Sequence, residues 1–111
     1  MPMILVADDE APIRQLLRRS LEARGYEVLL AADGVEAVRV GRESLGRLDL
    51  LISDVCMPGI EGPEVAQQLR ALRRDLKVLL ISGQTDRIIE GPFLRKPFAP
   101  ELLIQRVREL L

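Results

Sequence analysis

The sequence predicts a doubly wound α/β domain, a five-stranded parallel sheet covered by helices on both faces. Three observations carry that expectation. Short apolar runs of strand length alternate along the chain with segments whose apolar residues fall at helical spacing. The runs are continuous rather than alternating, which is the pattern of strands buried on both sides. Four of them are followed at once by polar residues, namely Asp8 and Asp9, Asp54, Ser82, and Lys96. Polar groups are thus delivered to one edge of the sheet.

Each element follows in order. Residues 3–7 are apolar and bounded by charge, giving the first strand. Pro12 sits where the first turn of a helix tolerates a missing N–H. Ile13, Leu16, Leu17 and Leu21 follow at helical spacing, and Gly25 is a C-terminal stop. Residues 27–31 make the second strand. Asp33, read as a cap, and Gly34 turn into a helix with Val35, Val38 and Leu45 on its inner face, weakened by Gly41. Residues 49–53 form the third strand, ending at Asp54, and Met57, Pro58 and Gly59 form a loop. Gly62 and Pro63 open a helix with Val65, Ala66, Leu69 and Leu72 inward. Residues 77–81 are the fourth strand, ending at Ser82 and Gly83. Residues 93–95 are a short fifth strand, and Ala99, Leu102, Leu103, Val107 and Leu110 face inward from a closing helix. Between strands four and five, Gly83 and Gly91-Pro92 leave only 84–90 for a fourth helix, about two turns at roughly 3.6 residues per turn. With right-handed crossovers, the strands suit the flavodoxin-like order 2-1-3-4-5, whose ligand site lies beyond the carboxyl ends of strands one and three.

Composition narrows the function. The 111 residues suit a single domain, 1–111. Hydrophobic residues make up 48% and the only aromatics are Tyr26, Phe93 and Phe98, so the core must be aliphatic. A net charge of −1 argues against nucleic acid or an anionic membrane as direct partner. Cys56 is alone, which rules out an internal disulfide and fits a reducing compartment. The absence of histidine excludes histidine metal sites, Ser-His-Asp chemistry and a phosphohistidine of the chain's own. The first apolar run is too short for a signal peptide or a span, so a cytoplasmic protein is expected. Fourteen arginines stand against two lysines, Lys77 and Lys96, so a lysine at a polar strand end stands out.

Three carboxylates gathered at one edge raise one another's pKa unless a cation relieves them. Mg²⁺ takes oxygen ligands, typically one or two carboxylates with water and phosphate oxygens, so Asp8, Asp9 and Asp54 suit it. Asp54 can then stay ionised and attack phosphorus to form an acyl phosphate, while Lys96 neutralises charge on the phosphoryl oxygens and Ser82 offers a hydroxyl. Each residue alone has a plainer reading. Asp8-Asp9 resembles a helix cap with first-turn charge, Asp54 a turn former, Lys96-Pro97 a solvated loop and Cys56 a small apolar filler. Their conjunction at successive strand ends favours the chemical reading.

Ala7-Asp8-Asp9-Glu10, Ser53 to Gly59 (Asp54, Val55, Cys56, Met57, Pro58 between), Ile81-Ser82-Gly83 and Arg95-Lys96-Pro97-Phe98 together resemble a response-regulator receiver domain over essentially the whole chain. The resemblance implies a phosphoryl group taken from a histidine kinase or phosphotransfer protein onto Asp54 in a Mg²⁺-dependent step that the domain itself catalyses. Asp8 and Asp9 would hold the metal with Asp54 and the main-chain carbonyl of Cys56. Ser82 would be the switch hydroxyl, Phe93 the aromatic that moves with it, and Lys96 the conserved-type lysine, with Lys96–Pro97 cis. The switched face would meet a downstream effector protein. The short helix over 84–90 departs from the family, so phosphorylation-induced dimerisation through it is expected to be weak or absent. Cys56 and Gln84 flank the site and are expected to set the hydrolysis rate.

The segment from Arg95 onward resembles receivers attached to hybrid sensor kinases, and no output domain is expected within these residues. Three other functions fit these residues less well. A haloacid-dehalogenase-type phosphatase would need an aspartate where Cys56 stands. A flavodoxin-like cofactor binder would need a Ser-, Thr- or Gly-rich loop where Asp8-Asp9-Glu10 stands. A degenerate receiver would bind a partner without being phosphorylated, against which the full set of site residues argues.

Overall fold

The computed structural model describes residues 1–83 and 89–111. Its elements are β1 (Met3–Ala7), α1 (Ala11–Glu22), β2 (Glu27–Ala31), α2 (Gly34–Glu43), β3 (Leu48–Asp54), α3 (Gly62–Leu72), β4 (Lys77–Ser82), β5 (Phe93–Arg95) and α4 (Pro100–Leu110). All strand pairs are parallel, in the order β2-β1-β3-β4-β5, as expected. The expected helix over 84–90 falls largely on residues 84–88, outside the described residues; Ile89 and Glu90 carry no regular structure. Among the described residues no helix is long and apolar enough to cross a membrane.

The continuous apolar runs are explained by two cores, one on each side of the sheet. On one side Ile4, Val6, Leu50, Ile52, Leu79 and Ile81 pack with Leu17 and Leu21 of α1 and Leu103, Ile104 and Val107 of α4. On the other, Leu5, Ala7, Leu51, Val78 and Leu80 pack with Ala37 and Val38 of α2 and Val65, Ala66 and Leu69 of α3. Successive strand residues serve opposite cores, so both faces of the three central strands are almost wholly apolar. The polar groups are driven to the strand ends.

Four residues expected on inner helix faces are exposed, Leu16, Val35, Leu72 and Ala99, and Leu45 lies beyond the end of α2. Val35 lies in the first turn of α2, Leu72 is the last residue of α3 and Ala99 is the cap residue before α4, so each sits where its helix begins or ends. Gly41, expected to weaken α2, has a packing role instead. A Cβ there would lie 2.6 Å from the Leu69 side chain, so its absence lets α2 and α3 approach.

Candidate functional site

At the carboxyl edge of the sheet, β1 ends and the chain turns into α1 through Asp8, Asp9 and Glu10. Asp8 is fully buried; its Oδ1 accepts from the Glu10 N–H at 2.9 Å and its carbonyl accepts from the Arg14 guanidinium at 2.7 Å. The plainer reading of this acidic pair as a helix cap fails. The cap position of α1 is Glu10, and its side chain makes no capping hydrogen bond.

Asp54 closes β3 and is also buried, its Oδ1 accepting from the Cys56 N–H at 3.3 Å. Its backbone is clamped. The buried Ser53 hydroxyl donates to the Asp54 carbonyl at 2.9 Å, and the Gly62 N–H donates to the Val55 carbonyl at 2.9 Å. A Cβ on Gly62 would sit 2.2 Å from the Asp54 carbonyl oxygen, so only glycine allows the start of α3 to come this close.

Lys96 follows β5 and reaches back across the edge. Its N–H donates to the Ser82 carbonyl at 2.9 Å, extending the β4–β5 pairing by one step. Its Nζ donates to Asp8 Oδ2 at 2.7 Å, Asp54 Oδ2 at 3.0 Å and Glu10 Oε1 at 3.2 Å. The Lys96–Pro97 peptide is cis.

The electrostatics follow from this crowding. Oxygens of Asp8, Asp9, Glu10 and Asp54 lie within 4.8 Å of one another, with Lys96 as the cation among them. Burial pushes the Asp8 carboxyl above its ordinary value, which its hydrogen bonds to Lys96 and the Glu10 N–H only partly offset. Burial would lower the Lys96 ammonium, but its bonds to Asp8 and Asp54 outweigh that and push it up. The proton of the pair therefore stays on Lys96. Four carboxylates against one ammonium leave an excess of negative charge, and every donor is a hard oxygen. That set fits a divalent cation such as Mg²⁺ or Ca²⁺ rather than a thiophilic metal.

An open cavity of about 800 Å³ lies over this edge, lined by Asp9, Glu10, Asp54, exposed Cys56, Ser82 and Lys96. Ile13, Leu16, Pro97 and Phe98 give it an apolar wall. Asp8, Asp9, Asp54, Cys56, Ser82, Lys96 and Pro97 thus all converge. Phe93 lies apart, half-buried against the core under α2 and α3. Gln84 lies outside the described residues. Sequence reasoning did not single out Glu10, Arg14, Ser53 or Gly62. Glu10 left one signal, a third acidic residue in succession; the other three act through contacts that no local pattern announces.

Residues 4–108 match the response regulator receiver domain family. The chain is 43% identical over 118 residues to response regulator MprA of Mycobacterium leprae, and 43% over 117 residues to that of Mycobacterium ulcerans. Each alignment covers 97% of this chain, which spans about half the length of these curated relatives (50% and 49%). Among solved structures, the receiver domain of the hybrid histidine kinase CckA superposes with a TM-score of 0.89 at 44% identity, covering 98% of both chains. Response regulator TrrA from Thermotoga maritima, in complex with Mg²⁺-BeF, gives 0.88 at 36% identity over 100% of both chains.

Proposed function

The chain belongs to the response regulator receiver domain family, and we propose that Asp54 is its phosphoryl acceptor. One observation carries this reading: the Lys96 ammonium bridges buried Asp8 and Asp54, at 2.7 and 3.0 Å, beneath an open cavity. An Asp54 carboxylate oxygen attacks the phosphorus of a phosphohistidine on a histidine kinase or phosphotransfer protein. The new P–O bond makes an acyl phosphate. The P–N bond breaks, its electron pair stays on the imidazole nitrogen, and that nitrogen takes up a proton. The phosphoryl group comes from the donor and ends on the domain itself, which promotes only its own phosphorylation and dephosphorylation.

Asp8, Asp9, Asp54 and the main-chain carbonyl of Cys56 would hold Mg²⁺; the structure of the related TrrA is a complex with Mg²⁺-BeF, which supports the reading. Bound there, the ion supplies charge neutralisation for the phosphoryl oxygens. Lys96 would bring a second positive charge, and Ser82 a hydroxyl at the rim of the cavity. The phosphoryl group adds about −1.5 to −2 charges at neutral pH. Ser82 and Phe93 relay that change to the face around β4 and β5, which meets an effector protein in the cytoplasm.

Intact-protein mass spectrometry after incubation with Mg²⁺ and acetyl phosphate tests this. One hydroxylamine-labile phosphoryl adduct is expected, absent from Asp54→Asn and from a metal-free sample. Folded protein that takes no adduct from either acetyl phosphate or a phosphohistidine donor would instead be a phosphorylation-independent binding module.

A further inference from the structure

An ammonium has three N–H donors, and Lys96 has three carboxylate partners. Asp8, Asp54 and Glu10 accept at 2.7, 3.0 and 3.2 Å, so every donor is taken. A phosphoryl oxygen arriving at Asp54 can reach Lys96 only by displacing one of them. The three are unequal. Asp8 is fully buried, and losing Lys96 would strand its charge in the protein interior. Asp54 is the acceptor and stays at the reaction centre. The Glu10 side chain is 61% exposed and makes no capping bond to α1, so it can turn into water and be solvated there.

We propose that Glu10 is a placeholder on Lys96: its carboxylate occupies the position that a phosphoryl oxygen takes, and leaves when the oxygen arrives. The inference rests on the reading of Asp54 as acceptor. Glu10 is a positioning residue, since it touches Lys96 and not the reacting atoms. It keeps the ammonium oriented over Asp8 and Asp54 before phosphorylation. In exchange it competes with the phosphoryl group, and so sets how tightly the site holds one.

The test uses beryllium fluoride, a phosphoryl analogue, titrated calorimetrically into the Mg²⁺-saturated wild type, Glu10→Gln and Glu10→Asp, with Mg²⁺ affinity measured separately. Glu10→Gln is expected to bind the analogue about two- to fivefold more tightly, the worth of one exposed ion pair. Glu10→Asp keeps the charge but is one methylene too short to reach Lys96, and is expected to behave like Glu10→Gln. A Glu10→Asp protein that binds like the wild type would mean that only the local field matters, and overturns the placeholder. So would unchanged affinity in Glu10→Gln, or a gain that merely follows a gain for Mg²⁺. Failure of the wild type itself to bind the analogue would strike the Asp54 reading, a separate result.

Discussion

β1 and β2 lie side by side, with Ala7 opposite Ala31, and each is followed by an acidic residue within two positions. The two acids have opposite fates. Asp33, after β2, accepts from the Glu36 N–H at 2.8 Å, and Glu36 returns the bond by accepting from the Ala32 N–H at 2.8 Å. That is a closed reciprocal cap, complete within five residues. Asp8, after β1, finds its strongest partner 88 residues away, and shares it with two other carboxylates. An acid satisfied by its own neighbours is architecture. One that depends on distant strands, and is left with surplus charge, is chemistry.

The sharpest test of that contrast removes the distant partner. Lys96→Ala leaves Asp8 and Asp54 buried without a counter-ion and is expected to cost about 3–5 kcal/mol in metal-free urea unfolding. Asp33→Ala removes a local cap and should cost only about 1 kcal/mol. Excess Mg²⁺ should recover part of the first loss and none of the second; equal responses to the ion would break the comparison. Gly62→Ala probes the backbone at the end of β3. Its Cβ must push against the Asp54 carbonyl, so destabilisation of about 1–3 kcal/mol is expected, with slower adduct formation in the same mass assay.

The smallest expected effect has the opposite sign. The folded-state pKa of Asp8 is raised above its ordinary 3.8, so the fold favours the protonated form. The contribution of this group to stability is therefore highest below 3.8 and falls as pH rises through the folded value. Asp8→Asn, fixed in an uncharged state, should stabilise the metal-free protein at pH 7, and the gain should vanish in urea titrations below pH 3.8. With Mg²⁺ present the order should reverse, because the variant loses a metal ligand.

The sheet and its polar edge were legible because both are written in runs: continuous apolar stretches, most of them stopped at once by a polar residue. Asp33 could be assigned as a cap for the same local reason. What stayed hidden depends on neighbours rather than on sequence adjacency. Gly41 looked like a weakness until Leu69 was found against it, and Gly62 looked like a helix opener until Asp54 was found beneath it. Val35 and Leu72 have the right spacing for burial but lie where nothing covers them. Glu10 was visible only as one more acid, because its role is set by how many donors Lys96 has left.

The distance along the chain between Asp8 and Lys96 also has a meaning in time. At about 5–20 residues per second, the 88 positions separating them take roughly 4–18 s to synthesise. During that interval β1 and β3 can pair, but their acidic ends have no lysine to face. Until Lys96 arrives, surrounding ions can supply the missing counter-charge. The end of the last strand therefore brings the site its lysine as well as completing the sheet, and a divalent cation can assist the newborn chain before any phosphoryl group reaches it.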